Sequence, residues 1–369
     1  MNGNNNRISA RELTFSIICY MICSSLLYGG IAGAIKHDIW IAVIAGLFIS
    51  VPVFLIFLTL FKRFPGKDII QINELVFGKI VGKIFSALYI FYFFSLCFVN
   101  TEMMGSFVLE IILPETPKAI ILIFFMLLCV YAVRKGVAVI ARFSSAVFFI
   151  AVIALFAAIF LLLNKIDMNY FKPMFSFPTS KYVQTINHVI FASFSNVFVF
   201  TMLAPELERP EKLKKPFFIS LIVGALFMLG VVGIDVAALG PAEAILTFPS
   251  FDVIRIIDIQ NIITRMDSVY EIAFLMVFFF KISILLYATT KALSRLLNLN
   301  SHRTLVPTIS VLVVIFALIY FDSSIEVSTF SADTLPYFKM LFQLILPLLT
   351  LIISMIRRKK LSNTKEASK

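Results

Sequence analysis

The sequence predicts an all-α integral membrane protein, with ten transmembrane helices in a 5+5 inverted repeat whose first and sixth helices are broken. Three observations predict it. Of 369 residues, 60% are hydrophobic and 14% charged, and 41 are phenylalanine, which leaves too little polar surface for a water-soluble domain. Charge-poor runs of about 20 apolar residues, the length that spans a bilayer, recur from residue 13 to residue 356. Small polar clusters interrupt the first and the sixth run about midway along each.

In chain order the runs cover 13–35, 39–61, 84–101, 119–133, 143–164, 182–205, 216–234, 272–290, 304–321 and 340–356. The polar start MNGNNNRISARE precedes the first run, which is too long for a signal-peptide core and is followed by nine more, so it reads as a retained span. Between the second and third spans, KDIIQINELVFGKIVGK has the amphipathic pattern of a helix resting at the membrane interface. The loop after the seventh span contains TFPSFDVIRIIDIQ. Pro249 and Ser250 mark a helix start there, and Val253, Ile256, Ile257 and Gln260 fall along one side, predicting a short helix over the outer mouth. No linker or low-complexity block divides the chain. Residues 1–369 therefore read as one membrane domain, with 1–164 and 182–356 as its two five-helix repeats and 357–369 as a basic cytoplasmic tail.

The net charge of +11 invites a nucleic-acid reading, which its distribution excludes. With the N-terminus inside, 23 of the 32 Lys and Arg fall on inner segments and 7 on outer loops, the remaining two being Lys281 and Lys339 in or beside spans. That is the positive-inside pattern, and it puts both termini in the cytoplasm. Cys19, Cys23, Cys97 and Cys129 all lie within spans, without zinc-type spacing, so neither a disulfide framework nor a metal is expected. No HExxH, nucleophile elbow or P-loop is present, and His37, His188 and His302 are scattered, so no catalytic residue and no cofactor is expected.

An odd number of helices in each half makes the second half enter the membrane from the opposite side. Matching interruptions in corresponding spans then mark a substrate site near the midplane, where opened helix ends offer backbone N–H and C=O groups to a ligand. In the first span the cluster is CSSLLYGG, giving Cys23, Ser24 and Ser25 as pocket candidates; in the sixth it is ASFSN, giving Ser193, Ser195 and Asn196. Two adjacent serines cannot both face lipid cheaply, whereas Gly29, Gly30 and Gly33 fit close helix packing equally well. Tyr92 with Leu96, and Ser283 with Tyr287, each lie at i, i+4 on one helix face and complete the candidate walls. Lys281, in FFFKISILLY, is an intramembrane charge with a gating or buried-pairing role, unless its stem snorkels to the inner surface. His188 reads as interfacial, Glu102 and Glu110 as facing water, and Asp235 as a solvated helix end.

The stretches ISARELTFSIICYMICSSLLYGGIAGAIKHDIWIAVI, RFPGKDIIQINELVFGKIVGK, APELERPEKLKK and TFPSFDVIRIID, with RMDSVYEIAFLMVFFFKISILLYA, resemble the endospore germination permease family nearly end to end. Its members are the B subunits of nutrient germinant receptors, within the amino acid/polyamine/organocation transporter superfamily. The most specific parts are Ile8-Ser9, Asp38-Ile39-Trp40-Ile41 and Phe64-Pro65-Gly66. The resemblance implies a leucine-transporter-like fold, and assembly with germinant receptor A and C subunits in the inner membrane of the spore. It also implies a small-molecule nutrient such as an amino acid as ligand and membrane lipid as the surrounding partner. One departure stands out, since Gly29 occupies the place where the family usually carries a proline. The expected function is nutrient sensing; a proton-coupled amino acid permease and an ion-conducting channel subunit are the alternatives.

Overall fold

In a computed structural model, residues 7–26, 34–210, 213–246, 248–255, 266–321 and 323–367 are described. These form helices without a β-sheet; the one β-type contact is an isolated bridge between Ile8 and Leu207. The helices, in order, are α1 (Ala10–Leu26), α2 (Ile39–Arg63), α3 (Ile69–Phe77), α4 (Lys79–Phe107), α5 (Lys118–Lys135), α6 (Val137–Leu162) and α7 (Thr179–His188). They continue with α8 (Lys214–Leu239), α9 (Pro249–Arg255), α10 (Met266–Leu296), α11 (Leu305–Ile319), α12 (Ser324–Thr329), α13 (Leu335–Met340) and α14 (Leu346–Ala367).

Among the described residues, 8 helical segments are long and apolar enough to cross a membrane. They correspond to the second, third, fifth, sixth, seventh, eighth, ninth and tenth predicted spans. α1 has only 17 described helical residues, and α5 carries Lys118, Arg134 and Lys135 within its 18. Bulky residues such as Phe124, Leu128, Ile153, Phe156 and Phe160 project outward from α5 and α6, as lipid-facing surfaces require.

Local chemistry sets the ends. Ser9 and Glu12 form a reciprocal cap at the start of α1, with Ser9 N–H on Glu12 Oε2 at 2.7 Å and Glu12 N–H on Ser9 Oγ at 3.3 Å. Asp68 and Gln71 repeat the device at α3. Gly136, at φ +115°, makes the turn between α5 and α6, a backbone shape that side chains rarely adopt. The amphipathic segment folds back on the bundle: Ile69, Ile70, Ile72 and Val76 are buried while Leu75 is exposed. Gly82 on α4 passes so close to α3 that a Cβ there would stand 2.7 Å from Glu74 Cα. The predicted helix over the mouth begins at Pro249 as expected, and Phe248 and Phe251 meet Phe107 edge-on. Ile256, Ile257 and Gln260 lie outside the described residues.

The sixth span does not continue as one regular helix. After α7 it widens into a π-type turn over Val189–Phe194 and then tightens into a 3-10 stretch over Ser195–Glu206. Runs of 3-10 helix longer than a few residues are uncommon, and changes of helical type inside a span cluster at functional places. Gly46 of α2 accommodates the widened turn, since a Cβ there would lie 2.8 Å from Val189 Cγ1. The first span is helical through Cys23, Ser24 and Ser25 as far as Leu26, the last described residue before 34, so unwinding at the serines is excluded. Gly29, Gly30 and Gly33 lie outside the described residues.

Candidate functional site

The polar clusters of the first and sixth spans border a cavity of about 40 Å³, room for a few waters. Its polar lining consists of Ser24 from α1, Asn100 from α4, His188 from α7, Lys281 from α10, and Ser331 and Lys339 from the tenth span. Lys281 is 3% exposed, which excludes snorkelling. Its Nζ donates to Ser24 Oγ at 2.9 Å and sits 5.1 Å from the centre of the Tyr20 ring. Ser24 in turn donates to the Tyr20 carbonyl at 3.3 Å. A back-bonded serine keeps an oxygen lone pair for a neighbour, so α1 presents an acceptor to the amine without losing its helical form.

One turn further along the broken span, a second polar cluster is assembled. Gln343 Nε2 donates to Tyr92 Oη at 2.7 Å and to Asn196 Oδ1 at 3.3 Å, so the third, sixth and tenth spans are tied by one side chain. Asn196 Nδ2 returns to the carbonyl of Ala192, which lines the cavity. Tyr92 lies flat against Phe342, ring centres 4.6 Å apart. Among the described residues, the Tyr20, Ser193, Ser195 and Ser331 hydroxyls and Gln343 Oε1 are buried without a partner. Buried polar atoms are normally satisfied, so this collection beside a helix break stands apart from the rest of the core.

Of the sequence-derived candidates, Ser24 and Lys281 line the cavity, and Tyr92 and Asn196 are joined through Gln343. Ser193 and Ser195 lie buried in the broken stretch between them. Cys23 is buried near Lys281. Ser25 turns back onto the Met21 and Ile22 carbonyls, and Leu96 is fully buried among apolar neighbours. Ser283 stands next to Cys129 of α5, because two residues along a helix from Lys281 point to a different side. Tyr287 lies beyond the cavity at the basic end of the bundle, where its hydroxyl donates to Glu206 at 3.2 Å and its ring meets His302 edge-on.

Three expectations are corrected. Glu102 does not face water: it is 1% exposed and accepts from Lys118 Nζ at 2.6 Å and Ser106 Oγ at 2.7 Å. Asp235 is not a solvated helix end, since it is buried and takes the Ser250 hydroxyl at 2.6 Å. His188 is buried in the cavity wall, one residue before the π-type turn, and is not interfacial. Glu110 is exposed as expected. Missed altogether were Asn100, Gln343 and Tyr20, and Lys339 was noted without a role. The signal for Gln343 was its place as a lone amide within an apolar run, which carries the same message as Asn196 in the sixth span.

The two ends of the bundle are closed by polar ties. At the basic end, Glu206 also receives Lys291 at 3.0 Å, and its carbonyl accepts the Ile8 N–H at 2.8 Å, pinning the start of the chain to the end of the broken span. At the opposite end, the buried Asp38 accepts the Tyr182 hydroxyl and the Ser176 N–H, linking the segment after the first span to the start of the sixth. Among the described residues, no group of three His, Cys, Asp or Glu side chains is placed to hold a metal.

This arrangement of spans is shared with membrane transporters. The fold matches that of MHP1, a nucleobase-cation-symport-1 family transporter, with a TM-score of 0.67 at 13% identity, over 92% of this chain and 78% of that one. It matches MhsT in complex with L-phenylalanine with a TM-score of 0.65 at 13% identity, over 92% and 97%. The fold is that of a multi-pass membrane protein of the leucine-transporter-like class. Residues 7–325 match the sequence profile of the spore permease family, described as spore germination protein, and the chain belongs to that family. It is similar to Spore germination protein KB of Bacillus subtilis (strain 168), 28% identical over 368 residues and 97% of each chain. Spore germination protein B2 of the same organism is 24% identical over 71% of this chain and 73% of its own.

Proposed function

We propose that this chain is the membrane subunit of a spore nutrient germinant receptor, binding a small nutrient near the middle of the bilayer and signalling germination. The observation that carries this reading is the break in the sixth span, where Ser193 and Ser195 are buried without partners beside the Ser24 and Lys281 cavity. A ligand that satisfies those groups favours whichever helix arrangement exposes them. Only such differential affinity can shift a two-state protein. The change passes to germinant receptor A and C subunits, with the complex in the inner membrane of the endospore and both termini of this chain cytoplasmic.

The pocket comprises Cys23 and Ser24 from the first span, Tyr92 from the third, and Ser193, Ser195 and Asn196 from the sixth, with Lys281 as its intramembrane charge; Ser25, bonded to its own helix, and Leu96, among apolar neighbours, back its wall. Ser283 and Tyr287 act outside it, Tyr287 in the closure at the basic end. The test is germination of spores carrying Asn196→Leu against a panel of amino acids, sugars and nucleosides. The response is lost or its nutrient choice changes while the protein accumulates normally; an unchanged response overturns the pocket. Uptake of labelled nutrient by proteoliposomes holding this chain alone would overturn pure sensing in favour of a permease.

A further inference from the structure

We propose that the cavity selects a small organic anion, a carboxylate carrying no ammonium group of its own, held between Lys281 and Lys339; this rests on the ligand-sensing reading above.

Lys281 and Lys339 are 3% and 4% exposed and line the same cavity. Lys281 has the Ser24 hydroxyl and the Tyr20 ring. Lys339 has no hydrogen bond or ion pair among the described residues. Among the described residues, no Asp or Glu lines the cavity. Two carboxylates on the elements that line it are engaged elsewhere: Glu102 with Lys118, and the exposed Asp333 with Gln184. A buried amine must be paired, neutral or wet. Two of them around one small cavity, with neutral Asn100, Ser24 and Ser331 as the remaining lining polar groups apart from His188, form a receptor for negative charge.

The same inventory argues against a zwitterion. An α-ammonium brought into this cavity adds a third cationic group beside two lysines and finds only neutral acceptors. A hydroxy or keto carboxylate of the same shape avoids that repulsion. Its carboxylate bridges the two lysine Nζ groups, and its hydroxyl or carbonyl meets the unpartnered Ser331 hydroxyl or Asn100. The small cavity favours the smallest such acids.

L-lactate and L-alanine form the matched pair that tests this, since they differ by a hydroxyl in place of the ammonium. Binding of each, radiolabelled, is measured by scintillation proximity on the full chain in nanodiscs of uncharged lipid. L-lactate should bind about tenfold or more tighter than L-alanine. Lys339→Met should lower lactate affinity by about tenfold, and Lys339→Arg should restore most of it, with thermal unfolding confirming that all three proteins are folded. Equal or tighter binding of alanine, no saturable lactate binding to the folded parent, or no effect of Lys339→Met overturns the proposal. If alanine binds and Asn196→Leu abolishes that binding, the sensing reading stands while the anion preference falls. An Asn196→Leu spore with an unchanged response would remove the sensing reading itself.

Discussion

Lys281 Nζ donates to Ser24 Oγ over 2.9 Å, joining the eighth span to the first inside the membrane. The two partners of this bond should not be equally expensive to lose. Removing Ser24 leaves a buried amine without its acceptor, whereas removing the amine leaves a serine still bonded to its own helix. Ser24→Ala should therefore destabilise the protein by about 1–3 kcal/mol, while Lys281→Met should stay within about 1 kcal/mol of the parent or exceed it. Thermal unfolding in detergent measures both, and the reverse order would show that the bond is not what holds the amine.

Gln343 hydrogen-bonds both Tyr92 and Asn196. Replacing it by Leu strands two buried polar groups, at a cost of about 1–3 kcal/mol each. A double-mutant cycle of Gln343→Leu with Asn196→Leu should reveal a coupling of about 0.5–3 kcal/mol. Additive effects would mean that the amide bridge carries no shared energy.

Two glycines should respond differently to alanine. At Gly82 a new Cβ meets backbone, 2.7 Å from Glu74 Cα and 2.8 Å from Asn73 O, and backbone cannot step aside. At Gly224 it meets the end of the Met21 side chain, with Cε at 2.5 Å and Sδ at 2.8 Å, and a thioether can swing away. Gly82→Ala should cost about 1–3 kcal/mol and loosen α3 from α4, while Gly224→Ala costs less than about 1 kcal/mol. Protease susceptibility of the α3 segment provides a local readout alongside unfolding.

Asp68, outside the spans, is fully buried between α3 and α10. Burial raises its carboxyl above the ordinary 3.8, outweighing the Gln71 N–H and the Arg295 and Lys291 charges that pull it down. A raised acid binds its proton more tightly in the folded state. Its contribution is thus fully present below about pH 4 and is lost as the pH rises through the raised value. Asp68→Asn should flatten that acid-side slope in thermal unfolding; a slope identical to the parent's would assign it to other groups.

Composition made the membrane and the all-helical fold legible, because a continuous apolar run of about 20 residues satisfies its backbone in lipid by forming a helix, whereas barrel strands are short and alternate. The polar clusters at Ser24 and Asn196 pointed to the site because intramembrane polar residues are expensive and few. The rest required three dimensions. Glu102, Asp235 and His188 sit near the ends of apolar runs, where a one-dimensional reading assigns water, yet packing by α5, α9 and the tenth span buries them. Periodicity put Tyr287 on a face shared with Ser283, but not at the depth of the cavity. Lys339 looked like a span edge because the tenth span begins with two π-type turns, which displace its helix faces relative to a regular 3.6-residue period.

The 12 residues of Ser195–Glu206 hold a stored length. At about 2.0 Å per residue the 3-10 form is about 6 Å longer than the same chain wound as α-helix at about 1.5 Å per residue. Because Glu206 is fastened to Ile8 at one end and Ser195 follows the π-type turn that carries Ala192 of the cavity wall at the other, rewinding these residues would act as a piston between ligand and the basic face. A spin-label distance from residue 188 to residue 208 that shortens by several ångströms on nutrient binding would record the stroke, and a constant distance would assign the signal to another element.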